Sequence, residues 1–125
     1  MGRTNERRPD ERNAILIASI RTLELIALLR LIVDELRARA PHLADQLDRA
    51  ASSVHLQLAE GSGRRGRDQR NRYRGAAADA QEVKAALKLA LAWRHVAPER
   101  VAPAMAAADA VAGLTVGLAR ATPQR

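Results

Sequence analysis

Apolar positions along this chain recur every three or four residues, the period of an α-helix. From Asp10 to Ala40 they fall into two interleaved sets. Leu16, Ile20, Leu23, Ala27 and Leu31 make one, and Leu25, Leu28, Leu29, Ile32 and Leu36 the other. Each set keeps the 3.6-residue rhythm, so the segment reads as one helix roughly 45 Å long at 1.5 Å per residue. A helix facing one bundle core needs one apolar stripe. Two stripes imply either a helix buried within its own subunit or one whose second side meets another copy. Only three shorter helices follow to cover it, which favours the neighbouring copy. The set Leu25, Leu28, Leu29, Ile32 and Leu36 is assigned to that oligomer interface.

The same rhythm predicts three further helices. The second runs from about Pro41 to Glu60 on Leu43, Leu47, Ala50, Ala51, Val54 and Leu58. Pro41 suits its first turn, Gly61 is placed for a left-handed C-terminal cap, and Gly63 loosens the turn. The third starts near Arg67 or Asp68 and runs to about Val96 on Tyr73, Ala76, Ala77, Ala80, Val83, Leu87, Ala90 and Leu91. Pro98 stops it. The fourth begins between Pro98 and Pro103 and reaches about Ala119 on Val101, Met105, Ala108, Val111, Ala112 and Leu118. No strand alternation, repeat or linker interrupts this pattern. The expected fold is all-α, an antiparallel up-down four-helix bundle over residues 10–120. A flexible segment, 1–9, precedes it and a short tail, 121–125, follows.

Composition narrows the chemistry. The 125 residues suffice for one domain, and 47% apolar content argues against disorder. The absence of cysteine removes disulfides, thiolate metal sites and cysteine nucleophiles. Ala14–Val33 is too often interrupted, by Arg21, Glu24 and Arg30, for a membrane span, and Glu6, Asp10 and Glu11 do not suit a signal peptide. A soluble, cytoplasmic protein is expected.

Charge adds the one candidate contact surface. The net charge is +7, and the stretch GSGRRGRDQRNRYRG at 61–75 holds six arginines against a single acid, Asp68. Such a local excess points to a polyanion. Arg67, Arg70 and Arg74 are spaced i, i+3, i+7 and share a helix face, with Arg64 and Arg65 leading into it. Amides at a helix start also favour anions. The one nearby aromatic, Tyr73, belongs to the core stripe, so a base-stacking platform is missing and backbone contact is expected rather than base readout. The plainer reading is a solvated helix start whose arginines pair with Glu60, Asp68, Asp79 or a neighbouring subunit.

The segment QLDRAASSVHLQLAEGSGRR at 46–65 resembles the bacterial four-helix-bundle proteins named for reading frames within 23S ribosomal RNA intervening sequences. That pattern, roughly Q-L-x-R-A-x-x-S-[IV]-x-x-N-[IL]-A-E-G-x-G-R, is matched at Gln46, Leu47, Arg49, Ala50, Ser53, Val54, Leu58, Ala59, Glu60, Gly61, Gly63 and Arg64, with Gln57 replacing the usual Asn. Downstream, RYRGAAADAQEV is similar to F-Y-x-I-A-x-G-S-A-x-E at Tyr73, Ala76, Ala80 and Glu82. Gly75 replaces the Ile, Ala78 the Gly and Asp79 the Ser, and the preceding loop is one residue shorter. The resemblance covers about residues 15–118. It implies a four-helix subunit assembled as a ring-like homopentamer. The fold is shared with the accessory protein of diversity-generating retroelements, a basic pentamer that works with a reverse transcriptase and nucleic acid. By analogy of fold alone this raises the expectation of nucleic-acid binding.

Other constellations carry less. Glu60 and Glu82 would suit a carboxylate pair, but no Glu-x-x-His repeat accompanies them. They read as structural partners, Glu60 with Arg49 or Arg64, at or within apolar helix faces. Ser53 and His55 lie on different sides of a helix and form no triad. Gly61-x-Gly63 lacks the strand and the Lys-Ser/Thr of a phosphate loop. Trp93 and His95 read as packing or interface residues. No catalytic residue, metal or cofactor is expected. The first hypothesis is a non-enzymatic oligomer binding RNA or DNA backbone through Arg64, Arg65, Arg67, Arg70 and Arg74. The alternative is an assembly or adaptor protein presenting its helical surface to a protein such as a reverse transcriptase. A small-molecule or metal carrier is the weakest of the three.

Overall fold

The computed structural model describes residues 9–123; the expected flexible segment and tail lie, apart from Pro9 and residues 121–123, outside them. Four helices fill that span: α1 (Pro9–Arg39), α2 (Pro41–Ser62), α3 (Gly66–Ala92) and α4 (Pro98–Ala121). No strand occurs among the described residues. Each helix packs on the next, and α4 returns to α1, so α1 lies diagonally opposite α3. The connections are short, which makes the bundle antiparallel and up-down.

Local chemistry sets each corner. Ala40 alone joins α1 to α2. Pro41 has no N–H and holds the preceding residue out of helical geometry, so α1 stops and α2 starts at once. Arg37 braces this corner, reaching Asp45 at 3.2 Å and Asp48 at 3.3 Å. The α2–α3 turn is Gly63–Arg65. Gly61 is not its left-handed cap: it is buried inside the last turn of α2, where a Cβ would stand 2.5 Å from Cε1 of Tyr73. Gly63 caps α2 at an ordinary φ of −94°, and the left-handed φ of 57° belongs to Gly66, the first residue of α3. A glycine is needed at 61 for close packing and at 66 for backbone conformation.

Helix α3 ends earlier than its apolar run suggests, at Ala92 rather than Val96. Arg94 adopts a φ of 58°; its N–H donates to the Leu91 carbonyl, and the His95 N–H donates to Ala90. This paired closure is the Schellman arrangement, here with arginine where glycine is usual. Val96 remains buried although it lies beyond the helix. At the other end α4 extends through Ala121, with Pro103 inside it, and the Thr122 hydroxyl folds back to donate to the Leu118 carbonyl. Helix α4 is long and apolar enough to cross a membrane; in the bundle its Val101, Ala104, Ala108, Val111 and Thr115 side is packed against the other helices.

The stripes of α1 exchange roles relative to the sequence reading. Leu25, Leu29, Ile32 and Leu36, assigned to an oligomer interface, are buried in the subunit's own core together with Ala18 and Thr22; only Leu28 of that set is exposed. The exposed side carries Leu16, Ile20, Leu23 and Leu31, flanked by Ile17 and Leu28, each more than 40% accessible. At about 100° per residue the two stripes lie on opposite sides of the helix. Both have helical spacing and similar residues, so nothing in α1 itself says which faces α2 and α4.

Candidate nucleic-acid interface

Antiparallel packing brings the end of α2, the start of α3 and the end of α4 to one end of the bundle. Six of the arginines there were legible in the sequence. A seventh, Arg120, arrives from the last turn of α4. On these segments the acids are Glu60 and Asp68.

The two acids select their partners. Arg64 donates to Asp68 at 2.8 Å, and this hydrogen bond and the attraction between the charges raise its pKa above the usual value. Arg72 bridges Glu60 at 3.3 Å and Asp68 at 4.0 Å. Glu60 therefore pairs with Arg72, not with Arg49 or Arg64 as expected, because α3 runs back alongside α2 and carries Arg72 to it. These pairs are solvent-exposed and worth little to stability. Their effect is on the charge pattern, since Glu60 and Asp68 engage Arg64 and Arg72.

The remaining arginines differ in what holds them. Arg65 caps the start of α3 and is exposed. Arg67 is exposed and forms no ion pair among the described residues. Arg70 is half-buried, and its Nε donates to the Ala119 carbonyl at 3.3 Å, a last-turn carbonyl of α4 that also accepts the Thr122 N–H at 3.4 Å. Arg74 follows one turn on. Arg70, Arg74 and Arg120 line one groove between α3 and α4, about 300 Å³ in volume and floored by Ala77, Val116 and Ala119. Asp10 and Glu11, at the start of α1, line a separate hollow beside Gln69 and Tyr73. Gln69 ties the turn together, its Nε2 donating to the Gly61 carbonyl at 2.9 Å.

The other singled-out residues lie apart from this end or support the frame. The Ser53 hydroxyl donates to Asp79 at 2.6 Å, clamping α2 to α3 and taking Asp79 out of the pool of arginine partners. Gln46 is half-buried and Arg49 exposed. Glu82 is exposed, as is Glu60, so neither sits within an apolar face. Glu82 lies ten residues beyond Arg72 along α3, about 15 Å from where Glu60 pairs, too far for a carboxylate pair. No group of three metal-ligating side chains forms among the described residues. Trp93, read as a packing or interface residue, is 70% exposed within the subunit, so it does not pack in the core. Sequence reasoning missed Gln69 and Arg120. The one signal for Arg120 was its place in the last turn of the fourth helix, which an up-down bundle must set beside the start of the third.

The family model for 23S rRNA-intervening sequence proteins matches residues 16–117. The chain belongs to that family. The match spans all four helices and both halves of the motif around Gly61 and Tyr73. The fold is similar to a solved structure from Bacteroides thetaiotaomicron, described as a protein with unknown function from the S23 ribosomal protein family. The two superpose with a TM-score of 0.73 at 15% identity, over 86% of this chain and 98% of that one. No curated protein matches the chain.

Proposed function

We propose that this family member is a non-enzymatic, cytoplasmic helical bundle that assembles with copies of itself, as a ring-like homopentamer, and binds RNA or DNA backbone at its arginine-rich end. The observation carrying the reading is the imbalance at that end. Seven arginines from the α2–α3 turn, α3 and α4 meet Glu60 and Asp68 on the same segments and Asp10 and Glu11 at the adjoining start of α1, so arginines outnumber these carboxylates. Contact without base readout follows from Tyr73, which is buried and leaves no aromatic platform there.

Self-association is supported by the outer stripe of α1. Four large apolar residues at helical spacing, with Ile17 and Leu28 beside them, form a continuous apolar strip that a second copy would cover. A ring repeats the basic end once per subunit, and weak contacts then reinforce one another through avidity.

The test is binding of a mixed-sequence single-stranded RNA and a duplex DNA across a salt series. Affinity is expected to be indifferent to sequence and to fall steeply with salt, with a log–log slope of about −0.7 per phosphate on single strands and about −0.9 on duplex. Arg64, Arg65, Arg67, Arg70, Arg74 and Arg120 changed together to Ala are expected to abolish it. Unchanged affinity in that variant overturns the nucleic-acid reading and leaves the protein-adaptor alternative.

A further inference from the structure

The arginine-rich end is not uniform, and its parts differ in what already neutralises them. Around the α2–α3 turn, Asp68 and Glu60 engage Arg64 and Arg72. Across the corner, the groove between α3 and α4 is lined by Arg70, Arg74 and Arg120 and, among the described residues, by no acid. Other carboxylates on these two helices have partners of their own: Asp68 pairs with Arg64, Asp79 accepts from Ser53, and Asp109 is paired with Lys84 at 2.8 Å. Deepening the nucleic-acid reading above, and resting on it, we infer that this α3–α4 groove is the phosphate-binding element, with Arg74 and Arg120 as its principal contacts and Arg70 as its fixed base.

A simpler account would have these arginines serve only the C-terminus of α4. Cations do favour a helix C-terminus, and Arg70 donates to the Ala119 carbonyl there. The magnitudes decide against that as a full account. The helix end carries about half a negative charge, against three guanidinium groups. A positive excess remains in a groove with an apolar floor. Arg70 uses its Nε on Ala119, which anchors its guanidinium, while its terminal nitrogens form no hydrogen bond among the described residues. A guanidinium held in this way is pre-organised for the two-pronged contact that suits phosphate oxygens. The small floor residues Ala77 and Ala119 let a backbone phosphate sit low between the helices.

The groove lies on the α3–α4 side, and α1 is diagonal to α3, so the groove and the apolar outer side of α1 are separate surfaces of the subunit.

Two variants that remove equal charge from the same end separate the groove from the turn. Arg74→Ala with Arg120→Ala alters the groove while keeping Arg70 as the α4 cap. Arg65→Ala with Arg67→Ala alters the turn. Both are measured by fluorescence anisotropy on a labelled single-stranded RNA between about 50 and 200 mM salt, with far-UV circular dichroism and light scattering to verify helix content and mass. The groove variant is expected to lose at least about tenfold in affinity and to flatten the salt slope by about 1.4, two phosphates' worth. The turn variant is expected to lose less than about threefold. Arg74→Lys with Arg120→Lys should recover part of the affinity, since charge returns without the planar fork. Equal losses in the two alanine variants, or a larger loss in the turn variant, overturn the groove assignment and leave the broader nucleic-acid reading standing. Wild-type protein that shows no salt-dependent binding overturns both.

Discussion

The inner and outer sides of α1 are close to interchangeable as sequence and opposite in fate. Inside, Ala18, Thr22, Leu25, Leu29, Ile32 and Leu36 repeat at steps of four and three and are almost wholly buried. Outside, Leu16, Ile20, Leu23, Ala27 and Leu31 repeat at nearly the same steps and stand in solvent within the subunit. Hydrophobicity sets how much surface a helix must hide. It does not say which neighbour hides it. On α1 the inner side has α2 and α4, which wrap it within one chain; among the described residues the outer side meets no other helix, and the proposed assembly would bury it.

That contrast can be broken by substitution. The largest effect is expected on the inner side: Ile32→Ala should lower unfolding free energy by about 2–5 kcal/mol in a denaturant titration. A loss under 1 kcal/mol would mean the core assignment of this stripe is wrong. The glycines sharpen the same distinction between inside and outside. Gly61→Ala places a methyl against the buried Tyr73 ring and should cost about 1–3 kcal/mol. Gly117 is helical and has nothing within 4 Å of an added Cβ, so Gly117→Ala should stabilise by about 0.5–1 kcal/mol, seen as a raised melting temperature. The smallest effect on the fold is expected on the outer stripe. Leu23→Glu and Leu31→Glu should each change the stability of an isolated subunit by no more than about 0.5 kcal/mol. Light scattering should nevertheless report a fall from the oligomer to a single 13.6 kDa chain. A double variant that keeps the wild-type mass would place the subunit contact elsewhere.

The candidate site was legible in part. The count of arginines between Arg64 and Arg74, and the shared face of Arg67, Arg70 and Arg74, were available from spacing alone. Their pairing was not. Whether Glu60 meets Arg49, Arg64 or Arg72 depends on how two helices align, and i, i+3 and i, i+4 rules act only within one helix. Arg120 is 46 positions from Arg74 and joins it only because α4 runs antiparallel to α3. The glycines show the same limit. Gly61 looked like the cap because it follows an apolar run, yet Gly63 caps α2, the left-handed turn falls at Gly66, and Gly61 is required by the ring of a residue twelve positions later. Two departures from the family pattern also prove to be one. Gln57, for the usual Asn, places its amide 2.5 Å from where a Cβ at residue 75 would stand, so the longer side chain occupies room that Gly75, for the usual Ile, leaves open.

The sequence by itself determined the number of helices, their approximate limits, the all-α architecture and the place of the charge excess. Those properties are carried by local periodicity, proline and glycine chemistry and simple counting, none of which needs a partner at long range. Only the tertiary structure decided which side of α1 is core, which arginines the acids engage, and that Arg70, Arg74 and Arg120 share a groove. Each of these depends on the relative rotation and alignment of packed helices. That rotation is set by how side chains from distant segments fill common space, a constraint that a linear pattern of apolar and polar positions does not contain.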